Sequence, residues 1–107
     1  MKVALIGDIH ANQPALEAVL AHAHDRGATT IWNVGDFVGY GAFPEEVVQH
    51  LQGEYVLSTI GSYDRDVLRF KKREDSWRQK KTIEEFLALK WAYEQLSKRS
   101  RKYLRLS

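Results

Sequence analysis

No cysteine occurs in the 107 residues. That excludes disulfides and thiolate zinc sites, and it agrees with a reducing cytoplasm. Long apolar runs are missing too. The first, Val3-Ala4-Leu5-Ile6, ends at Gly7-Asp8, too short for a signal-peptide core or a membrane span. The expected location is therefore the cytoplasm, with no membrane partner. No Gly-x-Gly-x-x-Gly follows that run, which argues against a dinucleotide-binding domain. No low-complexity tract is present. With 44% hydrophobic and 28% charged residues, the composition is that of an ordinary globular chain. Its length suffices for one domain with one modest core.

The net charge of +2 conceals an asymmetry. Residues 1–64 carry two basic side chains, Lys2 and Arg26, against eight acidic ones, whereas residues 65–107 carry fourteen against six. Acid clusters serve cations and basic segments serve phosphates, although two solvated faces that attract each other would show the same split. The sequence thus divides into an α/β part over 1–64 and a basic helical segment over 65–107, within one domain.

The first part reads as strand, helix, strand, helix, strand. Residues 2–6 suggest a buried strand. A helix follows, with Asn12 or Gln13 at its cap and Pro14 in the first turn, where the missing N–H has no partner to lose. Leu16, Val19, Leu20 and Ala23 form its apolar face, and Gly27 suits a left-handed C′ position. Thr30 to Val34 predicts a second strand. Pro44-Glu45-Glu46 opens a second helix, faced by Val47, Val48 and Leu51. Tyr55 to Ile60 predicts a third strand. This order implies a parallel sheet with right-handed crossovers, whose ligands bind beyond the carboxyl ends of the strands.

From Asp64 onward the pattern is helical. Residues 71–81 are so charged that an exposed connection or frayed helix is expected. Thr82-Ile83-Glu84-Glu85 predicts a capping box, and Ile83, Phe86, Leu87, Trp91 and Leu96 its apolar surface. A last short helix is expected over Ser100 to Leu104.

Three motifs stand at the predicted strand ends: Gly-Asp-Ile-His-Ala-Asn at 7–12, Gly-Asp-Phe-Val-Gly-Tyr-Gly at 35–41 and Gly-Ser-Tyr-Asp at 61–64. In a loop leaving a strand, Asp8 and His10 can converge on one cation. A carboxylate with an imidazole suits borderline metals. The two oxygens of Asp36 can bridge two ions of the kind that clamp a phosphoryl transfer. Taken singly they decide nothing: Asp8-Ile9-His10 reads equally as a loop acid with a surface histidine, and a strand followed by Gly-Asp is also common in nucleotide-binding folds.

In this order the motifs resemble those of the calcineurin-like metallophosphoesterases, and most nearly the small bacterial phosphoesterases of that family. The resemblance extends over most of the chain, including the stretch from Trp91 to Leu104, similar to the helical insertion before the family's second sheet. It implies the N-terminal half of the family's sandwich, a parallel β-α-β-α-β unit followed by a helical segment. It also implies metal-dependent hydrolysis of a phosphomonoester or phosphodiester, with two divalent ions such as Mn, Fe or Zn. By resemblance, Asp8 and His10 would hold the first ion, Asp36 would bridge both, and Ser62 stands where an asparagine ligates the second. Tyr63 stands where a histidine contacts the scissile phosphate, and Asp64 matches the acid that orients that histidine.

The departures bear on chemistry. A serine hydroxyl is shorter than an asparagine amide, so Ser62 reaches the ion only through a water. Tyr63, with a reference pKa near 10, is poorly matched to acid–base work at neutral pH. The family's later Gly-His-x-His ligands have no counterpart, because the four histidines are His10, His22, His24 and His50. The last three read as surface residues. Weak or partial metal occupancy and little or no turnover are therefore expected.

The alternative is a non-catalytic binding or assembly module. A half-sandwich leaves one sheet face open, and a second copy or a helical segment could cover it. The basic segment, with Lys71, Lys72, Arg73, Lys80, Lys81, Trp77 and Tyr103, offers a further reading as a nucleic-acid surface, against the plainer one of a solvated basic helix.

Overall fold

A computed structural model describes all 107 residues. Three strands, β1 (Val3–Ile6), β2 (Thr30–Asn33) and β3 (Leu57–Ser58), form a parallel sheet in that order. Two helices make the crossovers, α1 (Gln13–Asp25) between the first two strands and α2 (Pro44–Gly53) between the last two. Three more follow: α3 (Ser62–Lys80), α4 (Ile83–Gln95) and α5 (Lys98–Arg105). None of the helices is long and apolar enough to cross a membrane.

Local chemistry sets the crossover helices. Asn12 caps α1, its side chain accepting from Ala15 N at 3.1 Å, with Pro14 in the first turn. Leu16, Leu20 and Ala23 are buried, but Val19 is exposed. Gly27 lies at φ +82°, the left-handed conformation expected past the helix end. Pro44 opens α2, which buries Val47, Val48 and Leu51.

The sheet is covered on one face only, so β1 is not buried on both sides. Leu5, Trp32 and Leu57 share one register row, and all three are exposed. In the next row Ile6 and Asn33 are buried against the helices. The third strand is far shorter than Tyr55–Ile60. Tyr55 takes a left-handed φ of +54° as the chain turns out of α2, and only Leu57 and Ser58 keep register with β2. Tyr103 of α5 holds this short strand, its hydroxyl donating to Val56 O at 2.7 Å and lying 2.9 Å from Ser58 Oγ.

The charged stretch at 71–81 is neither a connection nor frayed. Its first ten residues continue α3, which begins at Ser62 and so spans the compositional boundary at 64/65. Val67 and Phe70 are buried, and Tyr63 and Trp77 are half-buried. With Glu74 they recur at alternating spacings of four and three, one continuous stripe. Cationic side chains lie along the aromatics: the Arg78 guanidinium is 4.8 Å from the Phe86 ring centre and Lys81 Nζ is 4.9 Å from that of Trp77.

Thr82 caps α4 as expected, accepting from Glu85 N at 3.2 Å, though the Glu85 carboxylate takes the Thr82 hydroxyl rather than a backbone donor. The buried face of α4 is Phe86, Leu89 and Ala92, followed by Leu96, while Ile83, Leu87 and Trp91 point outward. Packing against α3 selects that face: Phe70 meets Phe86 and Tyr93 at ring separations of 5.3 and 6.0 Å. Among the remaining histidines, His22 and His24 are exposed, and His50 is half-buried beside Gln13 with its Nδ1 at 2.9 Å.

Candidate metal centre

The loops leaving β1 and β2 run side by side beyond the sheet. Three backbone bonds pair them: Asp8 N to Gly35 O at 3.1 Å, His10 N to Asp36 O at 3.0 Å and Ala11 N to Phe37 O at 2.9 Å. Asp8, His10, Ala11 and Asp36 all adopt left-handed φ, between +49° and +57°. A non-glycine residue held there costs on the order of 1–3 kcal/mol, and such strain gathers where function requires it. It turns the side chains of Asp8, His10 and Asp36 into one cleft.

That cleft, about 700 Å³, is lined by Asp8, His10, Asp36, Ser62 and Tyr63 from the strand ends and the start of α3. Asp8 Oδ1 and His10 Nε2 are 3.7 Å apart. The His10 Nδ1 atom is buried without a hydrogen-bond partner. Asp36 Oδ1 accepts from Tyr63 N at 3.3 Å. Ser62 is exposed at the first position of α3.

Tyr63 packs its ring against Tyr40, with centres 4.3 Å apart, and Tyr40 in turn meets the His10 ring at 5.1 Å. A Cβ on Gly39 would collide with the Tyr63 ring, so glycine there leaves room for the aromatic. Burial pushes the Tyr63 phenol above its ordinary pKa, with Tyr40, Asp66 and Glu85 acting in the same direction.

Asp64 lies beneath the cleft and does not line it. It is fully buried, and its two oxygens accept four backbone N–H groups. Oδ2 takes Asp36 N at 2.8 Å and Gly61 N at 2.9 Å, and Oδ1 takes Phe37 N at 2.9 Å and Val38 N at 3.1 Å. Burial pushes this carboxyl above its ordinary range, against the opposing pull of those donors.

The far wall was not legible from the motifs. The turn between α3 and α4 brings Lys81, Glu84 and Glu85 to the cleft, with Asp66 from α3. Only the antiparallel packing of the two helices places them there, and no local spacing signals it. The lining thus holds five carboxylates against one ammonium. Such a wall attracts cations and repels anions unless bound cations offset its field.

The donors suit a divalent cation in kind, carboxylates with an imidazole, and the orphaned Nδ1 of His10 leaves that ring open to a further partner. They do not complete a coordination shell, since no three His, Asp or Glu groups come together closely enough to hold one ion.

The three-stranded parallel sheet thus carries its strained acidic loops at its carboxyl edge, where α/β sheets bind their ligands. The calcineurin-like phosphoesterase family model matches residues 1–103, and the chain belongs to that family. It is similar to a crystal structure of a metallophosphoesterase from Sphaerobacter thermophilus, with a TM-score of 0.73 and 34% identity over 98% of this chain and 40% of that one. It shares its fold with a candidate diadenosine tetraphosphatase at a TM-score of 0.72 and 24% identity, over 96% of this chain and 41% of the other. It is also 46% identical to an uncharacterized protein of Methanocaldococcus jannaschii over 66 residues, 62% of this chain and 27% of that protein. The chain therefore spans well under half the length of each of these relatives.

Proposed function

We propose that this chain supplies the Asp8, His10 and Asp36 side of a divalent-metal centre for phosphate-ester hydrolysis. One observation carries the reading. Three residues in strained left-handed conformations, on two adjacent loops, direct metal-type donors into one acid-lined cleft.

Asp8 and His10 would hold one ion, and Asp36, whose Oδ1 accepts from Tyr63 N, would bridge it to a second. Ser62 would reach that ion through a water. When bound, such ions neutralise phosphoryl charge and activate water at neutral pH. The Tyr63 hydroxyl, protonated at neutral pH as a phenol ordinarily is, would donate a hydrogen bond to a substrate oxygen. Asp64 would act on the loops and not on the ester. Because only part of a coordination shell is present, binding is expected to be weak and turnover slow, with manganese, iron or zinc each compatible with the donors.

The test pairs binding with chemistry. Mn²⁺ binding is followed by water-proton relaxation, and hydrolysis of an aryl phosphomonoester and an aryl phosphodiester by absorbance. Asp36→Ala is expected to weaken Mn²⁺ at least about tenfold and to abolish whatever Mn²⁺-dependent hydrolysis the parent shows. Equal binding in the parent and the variant would refute the assignment.

A further inference from the structure

The loop after β2 is built like an anion receptor. Asp36, at φ +56°, is followed by Phe37 and Val38, and the three successive N–H groups point inward to one spot. Such a backbone nest ordinarily cradles a phosphate or another anion. Here the spot is taken. The Asp64 carboxylate receives all three N–H groups and adds that of Gly61 from the third loop, at 2.8–3.1 Å.

We propose that Asp64 is a positioning residue that plugs this nest and, by doing so, sets where the Asp36 carboxylate stands in the cleft. Its effect on metal rests on the function proposed above, whereas the plug itself does not. Two consequences follow from the geometry. The first concerns the role of an acid at this position, which the motif resemblance assigns to orienting the side chain at 63. Both oxygens are committed to backbone donors, so Asp64 acts through the main chain of residues 36–38 and 61. The second concerns substrate. With the nest filled from inside, its three backbone donors are not available to a phosphoryl group. Bound cations, and Lys81 as the one ammonium at the wall, would then take its charge.

Asp36 is the element under control. Its N–H is bonded to Asp64 and its carbonyl accepts from His10 N. Its Oδ1 accepts from Tyr63 N, one residue before the plug. Loss of the carboxylate at 64 frees the backbone on both sides of the bridging acid without touching any side chain that faces the cleft.

Asp64→Asn tests this with shape preserved. Asparagine offers one acceptor oxygen and turns an N–H₂ group toward the other pair of donors. The expected result is amide exchange at least about tenfold faster at one of the two pairs, Asp36 with Gly61 or Phe37 with Val38. The ladder amides of Val34 and Thr59 should be unchanged. Mn²⁺ affinity should fall about 10- to 100-fold. A control variant destabilised away from the cleft, Tyr103→Phe, should keep the parent's Mn²⁺ affinity, which separates positioning from general loss of stability. Unchanged exchange at all four amides would overturn the proposal, as would an equal Mn²⁺ loss in the control. If Asp64→Asn does not fold, scalar couplings across the hydrogen bonds decide in the parent protein. Coupling of the four amide nitrogens to the Asp64 carboxylate carbon supports the plug, and its absence overturns it. A parent that binds no Mn²⁺ would strike the metal reading alone, and the amide measurements would still judge the plug.

Discussion

Replacing Gly61 by alanine isolates one contact on which the geometry of the site depends. The backbone there is extended, at φ −89° and ψ −179°, so alanine meets no conformational penalty. Restricting the unfolded chain would by itself stabilise the variant by about 0.4–1 kcal/mol. Against this stands the methyl group. Its carbon would lie 2.5 Å from Asp36 Cγ and 2.8 Å from Asp36 N, far inside van der Waals contact. The Asp36 backbone has little room to retreat, because its N–H is held at 2.8 Å by Asp64 and its carbonyl at 3.0 Å by His10 N. Overpacking of this kind costs about 1–3 kcal/mol, leaving a net loss of roughly 0–2.5 kcal/mol once the entropic gain is deducted. Gly53→Ala provides the internal standard, since a Cβ there meets nothing within 4 Å. It should stabilise the protein by about 0.4–1 kcal/mol. Urea unfolding of both variants against the parent gives the two numbers, and Mn²⁺ relaxation reads the displacement of Asp36. If Gly61→Ala matches Gly53→Ala in stability and binds Mn²⁺ like the parent, the packing argument is wrong.

Tyr103→Phe should cost about 1–3 kcal/mol, because Val56 O loses its donor and the Asn33–Ser58–Tyr103 chain is broken. An unchanged urea midpoint would refute it. Glu45 supplies a pH dependence. Burial alone would raise its pKa, yet the Ser97 backbone N–H and the Gln49 side-chain amide, donating at 3.0 and 2.7 Å, bring it below 4.5. A lowered folded-state pKa means stability present above the unfolded value of 4.5 and lost as pH falls through the folded one. The parent should therefore lose stability more steeply than Glu45→Gln on acidification below about pH 5. Parallel stability profiles for the two proteins would contradict it.

Much of the local structure was legible because its causes are local. Asn12, Pro14 and Gly27 bound α1, Pro44 opens α2 and Thr82 caps α4 through groups within a few residues of one another. The three motifs mark the carboxyl ends of the strands because glycine and acid must stand where a parallel sheet turns outward. Asp8, His10 and Asp36 were accordingly visible as candidates before any fold was known.

What depended on distant partners was not. Residues 71–81 read as an exposed connection or a frayed helix because the pattern shows lysines and arginines. Their helix persists because Phe70 packs on Phe86 and Tyr93 of α4, Trp77 packs against the core, and the Arg78 and Lys81 charges lie over aromatic rings. Ile83, Leu87 and Trp91 looked like core, yet α3 contacts the other side of α4. β3 shrank to two residues because the chain leaves α2 through a left-handed Tyr55. The role of Asp64 was the least legible of all. A local motif shows an acid after Ser62-Tyr63, but it cannot show that N–H groups from a loop 26–28 residues away converge on that carboxylate. Sequence alone thus determined which residues could serve a cation, since that follows from side-chain chemistry and near-neighbour turns. Tertiary structure decided which of them face the cleft and which hold it in shape, since burial and long-range hydrogen bonds exist only once the chain has closed on itself.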